Sequence, residues 1–141
     1  IKGDLSNGMV RVMDKATTDN NPELTRIGDR QLHHFRFTVA PETPFVTITL
    51  QHQSQANLNI HVNSGSPAFR SNAQHSVRIK NDTDGLTTAL TPGEWWVSVE
   101  CATSVRSVMD ANSGFYRYYG NTWILNGIPY SIRVEQANAE L

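Results

Sequence analysis

The chain has 141 residues, a formal net charge of −1 and 18% charged residues. That length suits one domain built on a single core. A near-neutral balance with no run of Lys or Arg excludes the electrostatic footprint of a nucleic-acid or membrane-surface binder. The charged share falls below the about 25% usual in globular chains; Thr, Asn, Ser and Gln replace the missing charge, as on many secreted β proteins. The longest apolar run is too short to cross a bilayer. Because the first residue is Ile, the chain is read as a processed or excised piece of something longer.

Met9 to Met13 is the first predicted strand. Residues 14–30 follow as a long polar connection, in which Asp19, Asn21 and Glu23 offer the oxygen ligands that suit calcium in a flexible loop; an ordinary solvated loop has the same composition. Phe35, Phe37 and Val39 then alternate with His34, Arg36 and Thr38. Val46, Ile48 and Leu50 alternate with Thr47, Thr49 and Gln51, and Leu58, Ile60 and Val62 with Asn57, Asn59 and His61. Such period-two alternation marks half-buried strands. Val77 and Ile79 form a shorter pair. Asn81 to Gly85 reads as a tight turn, since Lys80 stands where a calcium loop needs its first carboxylate.

Pro92-Gly93 opens the clearest strand, with Trp95, Val97, Val99 and Cys101 on one face and Trp96, Ser98 and Glu100 on the other. Trp95 and Cys101 are thereby assigned to the core. Cys101 is the one cysteine, which excludes an internal disulfide. Trp96 falls on the face expected to be wet, where it lies either on a binding surface or under a loop. Thr103 to Asp110 is the best stretch for a helix. Residues 103–129 form an aromatic-rich insertion before the last strand, which carries Tyr130, Ile132 and Val134.

Strands of this kind, separated by Pro, Gly, Asn and Asp turns, predict an all-β domain spanning residues 1–141: an antiparallel β-sandwich, jelly-roll-like, with two sheets packed face to face. The pieces also have a familiar order. Leu5-Ser6-Asn7-Gly8-Met9-Val10 is followed by His34-Phe35-Arg36-Phe37-Thr38-Val39 and Val46-Thr47-Ile48-Thr49-Leu50. Then come Ala56-Asn57-Leu58-Asn59-Ile60-His61-Val62, Gly65-Ser66-Pro67 and Thr91-Pro92-Gly93-Glu94-Trp95-Trp96-Val97. This series resembles the bacterial pre-peptidase C-terminal domain, whose collagen-binding relatives end secreted collagenases. The resemblance covers roughly residues 5–101 and the closing strand. It implies a small, non-catalytic β-sandwich that accompanies a secreted hydrolase. Asn57 stands where the family carries Asp, the 103–129 insertion is long for the family, and its frequent Cys pair is missing.

The insertion is the best functional candidate. From Gly114 to Trp123, five of ten residues are aromatic, too many for a disordered linker. Tyr116, Tyr118, Tyr119 and Trp123, with Trp96, are the predicted stacking residues, and Arg117 the hydrogen-bond donor. The same rings would equally plug one end of the sandwich. His33, His34, His52, His61 and His75 lack metal-ligand spacing and read as surface histidines. Gly-x-Ser-x-Gly, a phosphate-cradling Gly loop and His-Glu-x-x-His are all missing from the sequence. The expectation is therefore a secreted, non-catalytic accessory domain without a cofactor, binding a polymer, carbohydrate first and collagen-like protein second. The rival expectation is a structural or interaction domain that packs against its own catalytic domain or a partner protein.

Overall fold

Where β-branched and aromatic residues alternate with polar ones, one face of the chain must be buried, and each such stretch becomes a strand. The structure, a computed structural model, describes residues 2–16, 20, 22–54, 56–80 and 83–138. For Pro22, Lys80, Thr83, Asp84, Arg106, Ser107, Tyr116–Tyr119, Thr122 and Trp123 it describes the backbone alone. In chain order the strands are β1 (Val10–Met13), β2 (Leu32–Val39), β3 (Phe45–Gln51), β4 (Asn57–Ser64), β5 (His75–Lys80), β6 (Thr83–Ala89), β7 (Gly93–Cys101), β8 (Arg106–Met109), β9 (Tyr116–Tyr119) and β10 (Tyr130–Ala137).

Two antiparallel four-stranded sheets form the sandwich. One has the spatial order β1-β10-β3-β6 and the other β2-β7-β4-β5; β8 and β9 make a separate two-stranded sheet. Residues 2–5 extend the second sheet by running parallel to β2, with Lys2 N–H on His34 O at 2.7 Å and Leu5 N–H on Arg36 O at 2.8 Å. The inward residues of both sheets meet in one core: Phe35, Phe37, Leu58 and Ile60 from one side, Ile48, Leu50, Ile132 and Val134 from the other. Each large side chain buried this way contributes about 1.5–3 kcal/mol. Trp95 (3% exposed) and Cys101 (2%) belong to this core, as the alternation predicted.

Three local expectations are corrected. The stretch 103–110 holds strand β8 (Arg106–Met109) and not a helix: Val-rich and without an apolar stripe, it pairs there with β9. The turn expected at 81–85 gives way from Thr83 onward to edge strand β6, which pairs with β3 through Thr49↔Gly85 and Thr47↔Thr87; Asn81 and Asp82 lie outside the described residues. The connection 14–30 is less purely polar than predicted, because Ile27 is fully buried and bridges Ile128. That bridge ties the N-terminal loop to the insertion.

Candidate functional site

The outward face of the second sheet carries an ordered set of rows across its strands. Arg36, Trp96 and Asn63 lie side by side; one step along come His34, Ser98 and His61, and one step further Glu100 and Asn59. Polar residues on a sheet face usually meet water. Here residues 65–74, the connection from β4 to β5, fold back across them. Asn63 Nδ2 donates to Ser66 Oγ at 3.0 Å, the Phe69 ring meets the His34 ring edge-on at 4.9 Å, and Arg70 donates to Glu100 at 3.2 Å. Ala68 is fully buried, yet outside the main core.

Beneath this loop His34, His61, Ser98 and Glu100 find polar partners. His34 Nδ1 lies 2.5 Å from Ser98 Oγ, and Ser98 is fully buried. His61 Nδ1 meets Ser76 Oγ at 2.8 Å and its Nε2 meets Glu100 Oε1 at 2.9 Å. Burial alone would raise the Glu100 pKa; the bonds from His61 and Arg70 outweigh it and hold the carboxyl below its usual range. The Asn57 and Asn59 side-chain oxygens are buried with no hydrogen-bond partner among the described residues.

Of the five histidines expected at the surface, three are buried: His33, His52 and His61, each 3% exposed. Each is held by a hydrogen bond that a surface position would not need, His33 to Tyr130 OH at 2.6 Å and His52 to Ile79 O at 3.1 Å. The alternation pattern did place His61 on the outward face; it carried no sign of the loop that covers that face. Among the described residues, no group of three or more His, Cys, Asp or Glu could hold a metal ion. Glu23 lies exposed in a short 3-10 turn at Pro22–Leu24, while Asp19 and Asn21 lie outside the described residues.

Trp96 is only 8% exposed and stands outside the main core. The Arg36 guanidinium sits over its ring, 5.9 Å from the centroid, and its Nε1–H donates to Glu94 Oε2 at 3.4 Å. Arg36 is itself gripped by Asp4, with Nε to Oδ1 at 2.7 Å and Nη2 to Oδ2 at 3.2 Å. A ligand reaches this ring face only if Arg36 moves.

Beside this stack opens a groove of about 530 Å³. Asp4, Ser6 and Asn7 form one wall and Arg36, Thr38 and Glu94 another, over Leu5 and Phe37. Gln136 closes the rear: its Nε2 donates to Thr38 O at 2.7 Å, and its Oε1 accepts from Ala40 N–H and Thr43 Oγ1, each at 3.3 Å.

The insertion divides into two parts. Val105, Ile124 and Ile128 reach the core, the latter two fully or nearly fully buried. Between Val105 and Ile124 the chain leaves the sandwich as the β8–β9 hairpin, whose strands pack substantially only on each other among the described residues. Its tip turns at 110–115, where Gly114 adopts φ 74° and Asp110 N–H bonds Phe115 O at 2.8 Å. Phe115 is 75% exposed, Met109 55% and Val108 51%. On the opposite strand lie Tyr116, Arg117, Tyr118 and Tyr119, with Tyr116 paired to Met109 and Tyr118 to Ser107. The side chains of these four, and of Trp123, lie outside the described structure.

No family model matches the chain, and no curated protein matches it either. Among solved structures, the pre-peptidase C-terminal domain of a collagenase from Bacillus anthracis superposes with a TM-score of 0.56 over 94% of this chain and 93% of that one, at 8% identity. The chain therefore has the fold that the order of its sequence pieces implied. PliG of Aeromonas hydrophila, a periplasmic inhibitor of g-type lysozyme, covers 77% of this chain and 87% of its own at 16% identity, with a TM-score of 0.38.

Proposed function

We propose that this chain is a non-catalytic, extracellular accessory domain that holds a hydrolase to a polymer, with the β8–β9 arm as its grip. The observation that carries this reading is the exposure of Val108, Met109 and Phe115 on a hairpin that stands away from the core. An isolated two-stranded hairpin is marginal in water, and large apolar side chains on one are a recognition feature. The fold shared with a collagenase domain supports the accessory role. Fibrous protein is the favoured polymer and polysaccharide the second, the reverse of the order expected from the aromatic insertion. The large exposed side chains described on the arm, Val108, Met109 and Phe115, are apolar, and among the exposed ones only the small Asn112 and Ser113 at its tip offer hydrogen bonds, a balance that suits a protein surface better than a sugar. Tyr116, Arg117, Tyr118, Tyr119 and Trp123 are the proposed neighbours in this grip, and Trp96 joins only where Arg36 swings aside.

A second reading, docking against a neighbouring domain, is favoured by a different observation. Val10 and Val12 on edge strand β1, and Met9 just before it, are 52%, 58% and 63% exposed. Pull-down on collagen fibrils and on insoluble polysaccharides separates the two. Retention that falls with Phe115→Ala and with Tyr116→Ala/Tyr118→Ala supports the grip. Retention on neither polymer ends it and leaves the β1 edge as the docking element.

A further inference from the structure

We propose that the groove beside the Asp4–Arg36 pair is a binding site for a neutral saccharide unit, separate from the arm. Its volume of about 530 Å³ falls inside the about 300–1,000 Å³ typical of small-molecule sites. Its walls alternate acceptors with groups of both kinds. Asp4 and Glu94 supply carboxylate oxygens, Ser6 and Thr38 hydroxyls, and Asn7 an amide. The Asn7 oxygen already accepts the Gln136 backbone N–H at 2.9 Å, which leaves its NH₂ group to donate. A sugar hydroxyl donates and accepts at once, so such a wall suits it better than it suits a carbonyl or a simple cation. Leu5 and Phe37 beneath the groove belong to the main core and are almost fully buried, so the polar walls, and not ring stacking, would hold the sugar.

Charge narrows the class. Among the described residues, Arg36 is the one cation lining the groove, and it is engaged by Asp4 at 2.7 Å, by Glu94 at 3.5 Å and by the Trp96 ring. One cation against two carboxylates leaves the lining with a net charge of −1, which repels a uronate, sulfate or phosphate. The rear wall is rigid, because both polar ends of the Gln136 amide are bonded into the β2–β3 turn and β2, and a pre-organised wall lowers the entropy lost on binding. Glu94 lies near the start of β7 and the arm follows its end; a strand of that length spans about 27 Å. The groove and the arm are therefore distinct sites, and the saccharide reading goes beyond the polymer grip.

Titration of ¹⁵N-labelled protein with cellotriose and tri-N-acetylchitotriose, beside trigalacturonate, tests this. The neutral trisaccharides should shift the amides of Ser6, Asn7, Thr38 and Thr43 saturably, with dissociation constants in the millimolar range and little change on the arm. Trigalacturonate should bind at least about tenfold more weakly, and Ser6→Ala and Thr38→Val should each weaken the neutral ligand roughly fivefold, the equivalent of one hydrogen bond. Both substitutions are small and at exposed positions, so an unchanged spectrum elsewhere confirms the fold. The proposal is overturned if neither neutral sugar moves the groove amides, if trigalacturonate binds as well, or if the Ser6→Ala/Thr38→Val double variant binds like the parent.

Discussion

His33 Nδ1 lies 2.6 Å from the hydroxyl of Tyr130, and this bond joins the two sheets through the core. His33 comes from β2 and Tyr130 from β10, with ring centroids 5.8 Å apart. Burial, helped by the nearby Lys2 charge, pushes the His33 pKa down to about 3 from 6.5. Between those values the unfolded chain binds a proton that the folded protein refuses. Stability therefore holds above pH 6.5 and falls as pH drops toward 3, by about 1.4 kcal/mol per unit of depression. His34 and His52, also pushed down by burial, act in the same direction. Urea midpoints between pH 7.5 and 4 should decline steadily, and a His33→Gln variant should flatten that slope. Tyr130→Phe leaves the imidazole short of a partner and should cost about 1–3 kcal/mol at pH 7.5.

The Glu100 carboxylate serves two partners of unequal worth. Arg70 is 68% exposed on its side chain and His61 only 3%. An exposed ion pair contributes about 0–1 kcal/mol, whereas a buried ring that loses its partner costs about 1–3 kcal/mol. Arg70→Ala should therefore lower stability by less than about 1 kcal/mol, and Glu100→Ala by clearly more. Glu100→Ala should also speed hydrogen exchange at Asn72 and Ala73, whose amides bond Phe69 O, as the covering loop loosens. Equal costs for the two variants would refute this ranking.

Gly85 is required by space. A Cβ there would sit 1.9 Å from the Ile48 carbonyl oxygen and 2.9 Å from its carbon, both backbone atoms of the paired strand β3. A flexible side chain could yield; the β3 backbone cannot without breaking its own ladder. Gly85→Ala should cost about 3 kcal/mol and lower the melting temperature by roughly 10 °C. Gly65→Ala, with nothing within 4 Å but φ at 79°, should cost about 1 kcal/mol, from backbone strain alone. Thermal melts of the two variants check the order.

The sandwich was legible because inward-facing side chains such as Phe35, Ile48, Ile60, Val97 and Ile132 enforce a period of two that nothing else explains. β6 was hidden because it lies at a sheet edge and is rich in Thr and Gly, with Leu86 its one large apolar residue, so its alternation is faint. β8 was misread because four residues of Arg-Ser-Val-Met carry no decisive period. The covered face was illegible for another reason. Ser98, His61 and Asn63 look like solvent-facing residues in sequence, and only the path of residues 65–74 buries them. The groove escaped notice because its walls come from residues 4–7, β2, the start of β7 and the end of β10, pieces up to about 130 positions apart with no shared motif.

The two halves of the insertion should separate under deletion. Val105, Ile124 and Ile128 pack in the core, and Ile27 N–H and O both bond Ile128 at 3.1 and 2.7 Å; these residues hold the sandwich closed. The arm between them makes no such contribution among the described residues, since β8 and β9 rest on each other. Replacing residues 107–118 with a short Gly-Ser link should therefore leave the melting temperature within a few degrees, because removing solvent-exposed structure sacrifices little core burial. Ile128→Ala should lower it sharply, by about 2–5 kcal/mol of stability. Amides of Val108 and Arg117 should exchange faster than those of Val97 or Ile132, as expected of a hairpin with few buried neighbours. If deletion of the arm unfolds the domain instead, its rings are part of the core, and the polymer grip must be sought elsewhere on the surface.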